Sequence, residues 1–215
     1  MAATRLSLYG LASRFIGERP PASLTENSEV RAALDEVYTA GNGAIRYLLE
    51  CGLWNFAMRA VEIDAATDVD PAFGWQEAFA IPTDYVRISQ ISADETFTTP
   101  LNDYEIEGSY IYADIDPLYL RYVSDDASFG GDLGKWPESF TLYAGYWLGC
   151  QIAPRIKSSL DLEQLEKRLN KAMRDAKAKD AVNERTRFAP LGAWASARMG
   201  RGSRRDRGKR TTLIG

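Results

Sequence analysis

A chain of 215 residues with 45% hydrophobic and 26% charged residues has enough apolar material for a real core, which excludes wholesale disorder. Its formal charge of −4 comes with no uninterrupted apolar run of about 18 residues, so neither a membrane span nor a membrane partner is expected. With zero histidines, a Ser-His-Asp or Cys-His nucleophile, an HExxH zinc site and a Cys/His zinc finger are excluded within this chain.

Taken in chain order, Leu8, Leu11, Ala12 and Phe15 recur at helical spacing, and Gly17 with Pro20-Pro21 stops the run, which predicts a short helix and a turn. The segment from Met1 to Tyr9 lacks the apolar run and cleavage site of a secretory signal, so an intracellular product is expected. Ser23-Leu24-Thr25-Glu26 has the S-x-x-E form of a capping box, and Val30, Leu34, Val37, Ala44 and Leu48 then share one face. One long helix over about 27–51 is predicted. Gly41-Asn42-Gly43 in its middle costs about 1 kcal/mol per glycine relative to alanine, so the helix kinks or splits there or another backbone packs close, and a kink is the expectation.

After Gly52-Leu53-Trp54-Asn55-Phe56, prolines 71, 82 and 100 and Gly74 punctuate segments rich in Tyr, Val, Ile and Phe, which read as strands. Tyr85 to Ile91 alternates outward Arg87 and Gln90 with inward side chains. Asp103 to Glu107 pairs with Tyr110 to Ala113 across the tight turn Gly108-Ser109, and Leu118 to Val123 adds another strand. A small antiparallel sheet is predicted over about 75–124. Ser124 to Lys135 reads as a loop, Glu138 to Ile152 as a buried central helix with Pro137 in its first turn and Pro154 at its end, and a further helix capped by Ser159 or Asp161 runs to about Glu184. The strands come as one block between helices, so the fold class is α+β: mainly a helical bundle with an inserted small antiparallel β-sheet and an extended C-terminal arm. The body is expected to span 1–189 and the arm 190–215.

No GxxxxGK[ST] and no GxGxxG after a strand is present, and Gly130-Gly131-Asp132-Leu133-Gly134 reads as a plain mobile loop. Asp64, Asp68, Asp70, Asp94, Asp114, Asp116, Asp125 and Asp126 match no calcium-loop spacing and read as solvated surface. The separation that a glycosidase carboxylate pair needs is spatial, so the spacing of these acids neither supports nor excludes one. Cys51 and Cys150 lie in apolar patterns and read as small buried hydrophobes. Trp54, Trp75, Trp136 and Trp147 read as core or subunit contacts. No cofactor, no metal and no catalytic residue is expected.

The charge is split. Seven of the 26 basic residues and one of the 30 acids fall within 198–210, leaving 19 and 29 elsewhere, so an acidic body of net −10 carries a basic arm of net +6. Arg198, Arg201, Arg204, Arg205, Arg207, Lys209 and Arg210 follow an aromatic anchor, Trp194, and precede Leu213 and Ile214. Such an arm binds phosphates by counterion release, or docks into another protein and orders on binding through these residues, and both readings stay open.

Four patches then carry a resemblance. They are Leu11-Ala12 through Ile16-Gly17-Glu18, Pro20 and Ser23-Leu24; Gly52-Leu53-Trp54-Asn55-Phe56; Ile81-Pro82-Thr83-Asp84-Tyr85-Val86-Arg87; and Trp136-Pro137-Glu138-Ser139-Phe140. Their order over about residues 6–175 resembles the tail tubular protein A family of T7-like, short-tailed bacteriophages, the head-to-tail adaptors. Residues 190–215 have no counterpart in that pattern. The resemblance implies a structural virion protein, assembled in the host cytoplasm, that forms a ring of twelve copies beneath the portal protein. It implies a share in the genome-ejection channel, a platform for the next tail component (a nozzle, or tail tubular protein B-like, protein), and genomic DNA passing the lumen without specific binding. It implies no catalysis. The portal-binding role of the arm is an expectation from its charge; the alternative is a nucleic-acid-binding accessory protein acting through the same arm.

Overall fold

Residues 3–41, 43–67, 69, 71, 74–157 and 160–183 are described by a computed structural model. The chain divides into two units, Met1–Asn183 and Glu184–Gly215; the second lies wholly outside the described residues. The described residues contain five α-helices and two antiparallel three-stranded sheets.

Helix α1 spans Arg5–Phe15 and starts at Thr4, whose hydroxyl accepts from the Ser7 amide while Ser7 Oγ accepts from the Thr4 amide at 2.8 Å. The expected capping box at Ser23 is not used. Glu26 reaches back to accept from the Ala22 amide, and the hydroxyl that meets the Arg31 amide is that of Ser28, which caps α2 (Glu29–Thr39). The long helix predicted over 27–51 is two helices, because Gly41 and Gly43 take φ values of +57° and +87° that end one and start the next, α3 (Ala44–Glu50).

A 3-10 turn at Asn55–Ala57 leads into β1 (Met58–Ile63), a strand that lies ahead of the predicted sheet block. The block itself holds β2 (Glu77–Ala80), β3 (Tyr85–Ser92), β4 (Glu105–Glu107), β5 (Tyr110–Ala113) and β6 (Leu118–Ser124). These form two sheets rather than one: β1-β6-β3 and β2-β5-β4. Sequence distance hides the first, since β1 pairs Met58 with Val123 and Ile63 with Leu118 across most of the intervening chain. Register shifts between Tyr85 and Arg87 and between Ile88 and Gln90 break the alternation expected of β3.

Helix α4 (Glu138–Ile156) is central and packs on α1, α2 and α5 (Leu162–Ala181). It runs through Pro154 instead of stopping there, because only one amide donor is lost and the Lys157 amide still reaches the Ala153 carbonyl at 3.0 Å. Asp161 caps α5, accepting from the amides of Glu163 and Gln164; Ser159 lies outside the described residues. Two apolar clusters result. One gathers Leu8, Leu34, Leu48, Trp54, Phe140 and Leu148 among the helices, and the other gathers Phe79, Ile91, Ile111, Leu118, Leu120 and Tyr122 among the strands. Strand β6 belongs to both, because alternate residues face opposite ways: Tyr122 enters the second cluster and Val123 the first.

Candidate functional site

Two of the quoted patches, 52–56 and 136–140, distant in the chain, meet at the junction of helices and strands. Phe140 of α4 stands 4.7 Å from Trp54, 4.8 Å from Phe56 and 4.7 Å from Trp136, ring centre to ring centre. The two indoles are satisfied internally, Trp54 donating to the Leu48 carbonyl at 3.1 Å and Trp136 to the Gly130 carbonyl at 2.8 Å. Trp54 and Trp136 are therefore core residues, as read. Trp147 differs: it is half-buried and stacks under the half-exposed Tyr47, centroids 5.1 Å apart, in a groove between α2, α3 and α4.

The patch 81–87 contributes Asp84, which ties the β1-β6-β3 sheet together. Its carboxylate accepts from Arg59 Nη1 at 2.8 Å, from the Tyr122 hydroxyl at 3.0 Å and from Ser124 Oγ at 2.5 Å. Burial pushes its pKa up, but these donors outweigh burial and hold it below the ordinary carboxylate value. Beside it Arg46 of α3 pairs with Asp125 at 2.6 Å and also donates to the Tyr85 carbonyl, while Arg87 donates to the Glu50 carbonyl at 2.9 Å. These cations bind the helical layer to the sheet rather than presenting charge to a ligand.

The glycine cluster is not a loose loop. A Cβ on Gly130 would stand 2.5 Å from the Ser124 carbonyl oxygen, and one on Gly131 would stand 2.2 Å from that of Asp125, so both glycines are required by close packing. Cys51 and Cys150 are half-buried rather than buried. Burial, aided by Glu166, raises the Cys150 thiol to about 11, which makes it a poor nucleophile.

Among the described residues, no group of three or more His, Cys, Asp or Glu is placed to hold a metal ion. Asp94 spends its carboxylate on its own loop, accepting from Ser92, Thr98 and Thr99 and from Thr96, which holds its pKa far below the usual range. An apolar groove of about 790 Å³ opens between α1 and the start of α4, lined by Leu6, Leu11, Pro21, Trp136 and Leu142. No helix is long and apolar enough to cross a membrane among the described residues.

The surface charge is segregated more sharply than the whole-chain totals indicate. Residues 58–135 hold 16 acids and four bases, and between 60 and 120 the only base is Arg87. On the outer face of the β2-β5-β4 sheet, Glu105 lies opposite Tyr112 and Glu107 opposite Tyr110, both glutamates exposed and both tyrosines half-buried. Trp75 flanks them, donating to Glu105 at 3.2 Å. Helix α5 has the opposite character: Leu165, Ala172 and Ala176 are buried in the apolar cluster among the helices, and Lys167, Lys171 and Arg174 are exposed on the far side.

Every arm residue singled out in the sequence, Trp194, Arg198, Arg201, Arg204, Arg205, Arg207, Lys209, Arg210, Leu213 and Ile214, lies outside the described residues. The aromatic junction, the Asp84 hub and the opposed charges of α5 and the strands are what sequence reading missed. The residues of the first two stood in the quoted patches without any sign that they meet, and the third had its signal in the run of acids without bases. No protein-family model matches the chain, and no curated protein matches it.

Proposed function

We propose that the chain is a structural head-to-tail adaptor of a short-tailed bacteriophage, similar to tail tubular protein A, and not an enzyme. Copies form a ring, twelve by that similarity, beneath the portal protein; the ring continues the channel for genome ejection and carries the next tail component, a nozzle-like or tail tubular protein B-like protein. The protein resides in the virion after assembly in the host cytoplasm and needs no cofactor.

The observation that carries this reading is the ordered set of similar patches. Two of them, 52–56 and 136–140, supply the aromatic junction around Phe140 and a third, 81–87, supplies Asp84, so these resembling residues are among those that set how helices and strands join. The acidic balance of the chain outside 198–210, net −10, supports a conduit role, because like charge along a lumen keeps a passing polyanion from adhering. The basic arm is assigned to docking on an acidic groove of the portal, with Trp194 as its anchor. Electron microscopy of the purified protein mixed with its portal tests the assignment: rings stacked coaxially on portals support it. Binding of the arm to nucleic acid, with no affinity for portals, would favour the accessory-protein alternative.

A further inference from the structure

We propose that the exposed basic stripe of α5 docks on the outer face of the β2-β5-β4 sheet of a second copy of this chain. Both surfaces occur on every copy, at different places, so the contact is heterologous and repeats from copy to copy. It supplies the side-to-side interface that the proposed ring needs, and rests on that reading for closure of the ring but not for its chemistry.

Charge and spacing carry the inference. Glu105 and Glu107 project from the same face of edge strand β4, about 6.8 Å apart along the chain. Lys167 and Lys171, one helical turn apart, are separated by about 6 Å along α5, so both cations meet both carboxylates when helix and strand run side by side. Arg174 follows on the same side of the helix. The half-buried rings of Tyr110 and Tyr112, next to the glutamates, offer it faces for stacking. Lys167 already pairs with Glu163 at 2.6 Å, but that pair is exposed at both ends and exchanges at little cost. Neither segment 74–80 nor 101–114 contains a lysine or arginine to compete for the carboxylates.

The test is a charge swap in the full chain, read by sedimentation velocity at about 20 mM and about 500 mM salt. Wild type associates at low salt and dissociates at high salt. K167E/K171E/R174E and E105K/E107K each associate at least about tenfold more weakly, and an equimolar mixture of the two regains association, because each then supplies the surface the other has reversed. That recovery also shows both variants to be folded. A wild type that stays monomeric at low salt overturns the proposal, as does a mixture that fails to recover while each variant keeps the wild-type circular dichroism. If K167E/K171E/R174E associates as strongly as wild type, the arm is the occupant of the acidic face and the α5 assignment is wrong. The ring reading is judged separately. Wild-type rings on portals with a failed swap remove only this contact, and a successful swap without rings on portals removes only the adaptor reading.

Discussion

Trp136 donates its indole proton to the carbonyl of Gly130 at 2.8 Å, which fastens the start of α4 to the loop that follows β6. The same loop carries the tightest backbone approach among the described glycines, Gly131 against Asp125. Gly131→Ala is expected to lose about 2–4 kcal/mol, because a carbonyl oxygen cannot swing aside as a flexible side chain can. Gly10→Ala in α1 is the control: its nearest neighbours would be 3.9 Å away, and helix propensity favours alanine by up to about 1 kcal/mol. Urea denaturation of the two variants measures the contrast.

Asp84 makes stability depend on pH. Its folded pKa is depressed, so its contribution is full above the unfolded carboxylate value of about 3.9 and is lost as the pH falls through the lower folded value. Asp84→Asn is expected to cost about 1–3 kcal/mol near pH 6, and the gap from wild type is expected to close below about pH 4. Asp35 acts in the same direction: burial opposes its ionisation, but the hydrogen bond from Tyr9 and the charges of Arg5 and Arg31 outweigh it. Denaturation midpoints at several pH values check this; a gap that stays constant with pH contradicts it.

The two apolar clusters are expected to melt together, since β6 belongs to both and a short sheet is not stable alone in water. Phe140→Ala, in the aromatic junction, is expected to lower that single transition by about 3–5 kcal/mol. Two well-separated transitions in calorimetry contradict this.

Elements governed by local signals were legible in the sequence. The hairpin at Gly108 needs a positive φ, which the structure gives as +59°, and Asp161 caps α5 as its position suggested. Elements governed by distant partners were not. Strand β1 is defined by β6, and nothing near Met58 announces that pairing. The apolar spacing from Val30 to Leu48 was continuous, yet two glycines at positive φ outweighed it. Of the site, the carboxylates were visible as composition. Their placement opposite Tyr110 and Tyr112 required the register.

Removal of residues 198–215 is expected to leave the fold intact, since few core-forming side chains are lost, and to weaken attachment to portals. Reversal of Arg204, Arg205 and Arg207 is expected to act alike, with attachment falling as salt rises. Co-sedimentation with portals at two salt concentrations measures both. Attachment equal to that of the full chain, with affinity for DNA lost, transfers the arm to nucleic-acid binding.

Electron microscopy of the full chain mixed with the proposed partner, a phage portal protein, decides whether the chain is a head-to-tail adaptor. Rings of one rotational symmetry seated coaxially on portals are expected. Portals that remain bare at saturating protein, while the chain is folded by circular dichroism, would contradict the adaptor reading.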